Sequence, residues 1–236
     1  MESLVKLEGT KMRGIFEDEL KRLHGKFTEM GINVSEAIYR ASKSFIDHDK
    51  ALAQQVIEHD EEINEEEIKL EDEALMLIAL QQPVAADFRQ IIIVLKASSD
   101  LERIGDHAVG IARESIELKG EQRVPEIEDD IGEMTNNVRS MLEEVLDAYV
   151  KEDEVGAKQI AIANQQIDKA YANVREKTIE MMKQDSKVIT GSASYLMVAS
   201  YLERIGDHIS NIAEWVVYNK TGHLAELTPD HHPEEN

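Results

Sequence analysis

The chain has 236 residues and no cysteine, which excludes disulfides, cysteine-zinc sites and thiol chemistry. A formal net charge of −22 makes it a poor partner for a nucleic-acid backbone or an anionic membrane surface. With 42% hydrophobic residues it is too apolar for disorder, and with only 5% aromatics, 4 Pro and 12 Gly its cores are aliphatic, a palette that suits helices.

The N-terminus, MESLVKLEGT, lacks the basic and apolar regions of a signal peptide. The longest aliphatic run, Ile91 to Leu95, falls far short of the roughly 20 residues that span a bilayer. A cytoplasmic protein without membrane insertion is the expectation.

In chain order, residues 1–7 read as a ragged start. Phe16, Leu20, Leu23, Phe27, Met30, Val34, Ile38, Ala41 and Phe45 then recur in steps of three and four, the stripe of one long helix over about 8–47. Gly31 is its weak point, since glycine costs about 1 kcal/mol against alanine in a helix. Asp47-His48-Asp49 turns the chain into a second helix, about 50–82, with an acidic middle. Most of that acidic run, Glu58 to Glu73, reads as a solvated face. Pro83 is placed to open the third helix, about 84–118, which Lys119-Gly120 stops. After a linker from Gly120 to Pro125 the scheme repeats: helices over about 126–151, 153–184 and 187–219, then an aperiodic tail expected to be mobile.

Leu101-Glu102-Arg103-Ile104-Gly105-Asp106-His107 recurs verbatim as Leu202-Glu203-Arg204-Ile205-Gly206-Asp207-His208. A seven-residue identity at this separation marks an internal duplication. The expected fold is therefore all-α: two pseudo-repeated antiparallel three-helix bundles, residues 1–120 and 121–220, with the tail at 221–236. Asp49 aligned on Asp153 gives an offset about three residues larger than the motif does, so the copies differ in length near the second turn of each bundle.

On a helix, Glu102 and Asp106 lie side by side at i and i+4, as do Glu203 and Asp207. Like charges so placed need compensation. Arg103 and Arg204 offer one source, in a plain ion-pair network; a multivalent cation between the carboxylates is the other. Oxygen ligands suit Mg, Mn, Ca or Fe. A hairpin folded at Pro83 brings Asp106 opposite Asp60 and Glu102 opposite Asn64. A second, folded at Ser186, brings Asp168 opposite Arg204, within a turn of Glu203 and Asp207, and Asn164 opposite His208. Acid and amide have exchanged places between Asp60/Asn64 and Asn164/Asp168. The candidate metal set is Glu102, Asp106, Glu203, Asp207, Asp60 and Asp168, on half-open faces. His107 and His208, turned by about 100° from the aspartates, read as supporting or interfacial groups. Gly105 and Gly206 mark close approach of a neighbouring helix. No Glu lies three residues before any of the 8 histidines, which speaks against a ferritin-like di-iron site. Phosphate loops, nucleophile elbows and HExxH motifs are lacking, so no enzyme is expected.

The doubled LERIGDH, Gln81-Gln82-Pro83-Val84-Ala85-Ala86-Asp87-Phe88-Arg89 before its first copy, and Phe16-Glu17-Asp18-Glu19-Leu20 together resemble the PhoU family of phosphate-transport regulators. The second half departs from it at Gln184-Asp185-Ser186-Lys187. The resemblance implies a cytoplasmic, often homodimeric regulator that restrains phosphate-starvation signalling. It implies as partners the ATPase subunit of the phosphate ABC transporter and a sensor histidine kinase. It also implies iron or zinc clusters on E(D)xxxD motifs, which Glu102/Asp106 and Glu203/Asp207 match. Without the resemblance, a metal-independent bundle whose acidic faces dock a basic partner stays open.

Overall fold

The structure, a computed structural model, describes residues 2–118, 120, 122–224 and 227, with side chains from Arg13 onward. The helices are α1 (Glu2–Ile46), α2 (Lys50–Glu58), α3 (Asp60–Gln81), α4 (Ala85–Glu117), α5 (Pro125–Lys151), α6 (Glu154–Gln184) and α7 (Ile189–Thr221), with a 3-10 turn, Ser186–Val188, before α7. Among the described residues there is no strand. The two-bundle expectation holds: α1, α2/α3 and α4 form one bundle, and α5, α6 and α7 the other.

Local chemistry sets the ends. Asp49 accepts hydrogen bonds from the backbone N–H of Ala51 and Leu52, each 3.0 Å, and starts α2. Asp153 does the same for Val155 and Gly156, each 3.1 Å, and starts α6. Each cap stabilises its helix by about 1 kcal/mol. Pro125 sits in the first turn of α5, where its missing N–H costs nothing.

Several boundaries differ from expectation. The first helix begins at Glu2 rather than after a ragged start. As expected, it runs unbroken through Gly31, where the missing side chain makes room for α5: a Cβ would sit 2.7 Å from the Leu146 methyls. The second helix is broken at His59 into α2 and α3. Asp60, Glu61 and Glu62 fill the first turn of α3, where the helix dipole favours negative charge. The acidic run thus restarts a helix rather than merely coating one. Pro83 lies outside α4, in a connection whose Gln82 takes a left-handed φ of 46° to cap α3, and Val84 caps α4. The predicted stop at Lys119 lies outside the described residues. So does most of the expected mobile tail; Leu227 within it is held, its N–H donating to Glu214 Oε1 at 2.7 Å.

The two bundles share one continuous hydrophobic cluster. α1 packs on α4, α4 on α7, α7 on α5 and α5 on α1, a closed ring of four helices flanked by α2/α3 on one side and α6 on the other. α4 and α7 cross antiparallel, as do α1 and α5, so a pseudo-dyad relates the bundles. Gly110 of α4 is the closest point of the first crossing: a Cβ there would lie 2.7 Å from the Tyr201 ring. Across the α1–α5 seam Thr135 Oγ1 donates to Ser42 Oγ at 2.9 Å, and Tyr149 stacks on Phe27 with centroids 4.6 Å apart.

A buried carboxylate, Glu128, fixes the linker through its pairing with Arg123. Glu128, 3% exposed, receives Arg123 Nε at 3.2 Å and Nη2 at 2.5 Å, Tyr195 OH at 2.7 Å and His48 Nε2 at 3.2 Å. Arg123 Nη2 also donates to the Ile46 carbonyl at 2.6 Å, and the Val124 N–H donates to Tyr195 OH at 3.0 Å. The network ties the end of α1, the linker, α5 and α7 together. Burial pushes the Glu128 pKa up, but the hydrogen bonds from Arg123, Tyr195 and His48 outweigh it and hold the carboxyl below its ordinary value.

Because the Glu128 pKa is depressed in the folded state, its contribution to stability is present at neutral pH and lost as pH falls below the ordinary glutamate value of about 4.3. Urea unfolding of Arg123→Met at pH 7 should show a loss of about 2 kcal/mol, less than for a fully buried pair because Arg123 is half exposed; Glu128→Gln should flatten the acid limb. At the helix crossing, Gly110→Val should lower stability by about 1–3 kcal/mol through overpacking against Tyr201. Gly25→Ala, exposed in mid-α1 with nothing near its Cβ, should raise it by up to about 1 kcal/mol, as read by thermal melts.

Candidate functional site

Both LERIGDH copies lie mid-helix, the first on α4 and the second on α7, and helical rotation sends each residue a different way. Leu101, Ile104, Leu202 and Ile205 are fully buried in the core. Gly105 faces α3, where a Cβ would lie 3.3 Å from Ile63; at Gly206 a Cβ would collide with the Asn164 amide oxygen of α6. The expected close approach is therefore real in both copies. His107 and His208 face one another across the α4–α7 crossing, ring centroids 5.5 Å apart. Burial, then the neighbouring His208, Arg204 and Arg103, push His107 down to about 4, so it is neutral at pH 7. The histidines are interfacial.

The acidic pairs occupy the remaining direction, at the edges of the α3–α4 and α6–α7 seams. The Glu102 side chain is 19% exposed and that of Asp106 is 43%, a half-open face. Arg103 lies 3.6 Å from Glu102 and 3.8 Å from Asp106, so part of the expected local compensation is present at long range. It does not neutralise the face. Burial raises the pKa of Asp60, and Asp106 raises it further against the opposing pull of Arg113. Burial likewise raises Glu102, with Asp106, Glu67 and Asp60 adding to it and Arg103 opposing. The Asp60 Oδ1 and Asn64 Oδ1 atoms are buried without a hydrogen-bond partner.

In the second bundle Asn164, 3% exposed, donates from Nδ2 to Asp207 Oδ1 at 2.9 Å, while its own Oδ1 is buried and unpartnered. Asp168 and Glu203 take part in further polar or electrostatic interactions.

The PhoU domain matches this chain twice, over residues 27–115 and 131–216, once for each bundle. The chain belongs to the PhoU family. A phosphate-specific transport system accessory protein PhoU homolog of Streptococcus pneumoniae is 36% identical over 92% of this chain and 100% of its own length. Another from Clostridium acetobutylicum is 34% identical over 91% and 98%. The crystal structure of PhoU from S. pneumoniae superimposes with a TM-score of 0.85, at 34% identity over 89% of this chain and 99% of that one. PhoU from Pseudomonas aeruginosa gives 0.84, also at 34% identity, over 88% and 100%.

The PhoU repeat thus brings Asp60, Glu102 and Asp106 within electrostatic reach of one another, and sets Asn164, expected opposite His208, on the adjacent Asp207. Sequence reasoning missed Glu67. Burial and then Glu71 raise its pKa, a hydrogen bond from Ser99 and the charge of Arg103 lower it, and Asp106 adds a further upward push. Its signal was legible: Asp60, Asn64 and Glu67 are spaced i, i+4, i+7 on one face of α3. The reading of Glu58–Glu73 as solvated hid it.

The donor set suits hard or borderline cations, since carboxylate and amide oxygens are its only ligands and there is no Cys. The unpartnered Asp60 and Asn64 oxygens fit such an ion. The face is not already closed around one: among the described residues no three His, Asp or Glu side chains are placed to hold a single metal. Asp60→Asn should lower the Glu102 carboxyl titration midpoint in the metal-free protein, read by carbon-detected NMR; an unmoved midpoint would show that the two charges do not couple.

Proposed function

We propose that this chain is an accessory regulator of the phosphate-specific transport system that binds cations on its paired carboxylate faces. Membership of a family whose relatives carry that accessory role supports the first part. The observation that carries the second is the first-bundle face, where burial and the Asp106 charge raise both Asp60 and Glu102 and buried acceptor oxygens lack donors. A face so charged gains most from a cation that replaces the missing donors. Glu102 and Asp106 with Asp60 would hold it in one bundle, Glu203 and Asp207 with Asp168 in the other. Iron or zinc is what the family suggests, and the all-oxygen donors favour iron or manganese over zinc. A bound ion there would supply a fixed positive charge that locks α3 to α4 and α6 to α7.

No constellation of nucleophile and base accompanies these faces, so the role is binding and regulation rather than catalysis. In this reading the protein links the transporter ATPase subunit to the sensor histidine kinase as a cytoplasmic homodimer, and the charge on the two faces decides which partner is held. The competing reading keeps the faces metal-free and uses them to dock a basic surface; the weak Arg103 contacts with Glu102 and Asp106 favour it, since a partner guanidinium could take the same place.

Metal analysis of protein purified without chelator separates the two. The wild type should carry metal that Glu102→Gln/Asp106→Asn loses by half or more; equal content in both would sink the cation reading. A pull-down with the ATPase subunit and the kinase, run on the same pair, tests docking.

A further inference from the structure

Each acidic face is built on the same kind of helix pair, α3 with α4 and α6 with α7, and the side chains that line the two faces differ. At the position facing the motif aspartate, the first bundle has Asp60 and the second Asn164. One helical turn on, the first has Asn64 and the second Asp168. A further three residues on, the first has Glu67 and the second Tyr171, which packs against the hydrophobic core. The first face therefore gathers Asp60, Glu67, Glu102 and Asp106; the second has one acid fewer and an aromatic in its place.

The hydrogen bonding follows the same division. In the second bundle the Asn164 amide already donates to Asp207 at 2.9 Å, so the aspartate has a donor without any ion. That arrangement depends on Gly206, since only a glycine leaves space for the Asn164 oxygen. In the first bundle the equivalent pair is two acids, neither of which can donate to the other when ionised, and Asp60 Oδ1 is buried without a partner. An ion entering the first face relieves repulsion. An ion entering the second must first displace an existing hydrogen bond, turning the Asn164 amide so that its oxygen rather than its nitrogen meets the cation.

We infer that the two PhoU repeats bind hard divalent cations unequally, the first-bundle face filling first, with Asn164 as the positioning residue that holds the second face in its ion-free state. This rests on the cation-binding reading above. The chain is thus a graded sensor with two thresholds, its second face answering only at higher cation concentration. The difference is encoded in the exchange of Asp60 and Asn64 for Asn164 and Asp168, and in Glu67 for Tyr171.

The test uses Mn2+ and the full-length protein, with free Mn2+ followed by electron paramagnetic resonance. The wild type should show one class of sites at least about tenfold tighter than the second, as ligand charge count tunes affinity in oxygen sites. Asp60→Asn should abolish the tight class. Asn164→Asp should bring the second class within a few-fold of the first. Glu203→Gln/Asp207→Asn should remove the weak class alone. Circular-dichroism melts establish that each variant folds. Two equal classes in the wild type, or an unchanged second class in Asn164→Asp, would overturn the inference and leave the cation reading standing. No Mn2+ bound at all would overturn both.

Discussion

The antiparallel crossing of α4 on α7 is the contact on which the other packing depends. Each helix is the spine of its own bundle, so the surface that joins them is also the one that sets the angle between halves. Gly110 lets the Tyr201 ring come against the α4 backbone, and His107, kept neutral chiefly by burial, lies between the tilted rings of Tyr201 and His208. The ring of α1, α4, α7 and α5 closes around this crossing, and the Glu128–Arg123 pair then pins the linker against it. Two three-helix units that could each have formed a separate core instead share one.

The seven-residue motif is best understood as a wheel. Leucine and isoleucine turn to the shared core, glycine to the flanking helix of the same bundle, histidine to the opposite bundle, and the two acids to the seam that opens on water. Every position but the exposed arginine meets one of these surroundings. In the first copy the acids have, among the described residues, only the long contacts of Arg103, and it is the partners on α3 and α6 that decide how much charge each seam carries. The chemistry of the site is thus set outside the motif, by residues that a search for the repeated string would pass over.

Most of the fold was readable from periodicity. The long stripe from Phe16 to Phe45, the twin aspartate caps at Asp49 and Asp153, and the repeat itself specify six helical segments and their pairing. The break at His59 was not readable, because a helix N-terminus that is acidic looks the same as a solvated acidic face until the backbone is seen. Asp60 was correctly placed opposite Asp106 by hairpin geometry alone. In the second hairpin the same reasoning set Asn164 opposite His208, and the structure has it one residue away, its amide donating to Asp207. The dyad contacts were invisible in the sequence, since they arise between residues about a hundred apart on helices of opposite direction.

Those dyad contacts carry a further consequence. Where the first half sends Gly110 and His107 to meet Tyr201, the second half sends Asn211 and His208 to meet Asp100, which accepts hydrogen bonds from both at 3.1 and 2.9 Å. One side of the crossing is an aromatic plug and the other a polar clasp. Pairing two first halves would set Asp100 against Gly110 and strip it of the Asn211 donor; pairing two second halves would drive Tyr201 into Asn211, where glycine had left room. The halves have become lock and key to each other, so a molecule that began as two copies of one unit can now be assembled only from one of each.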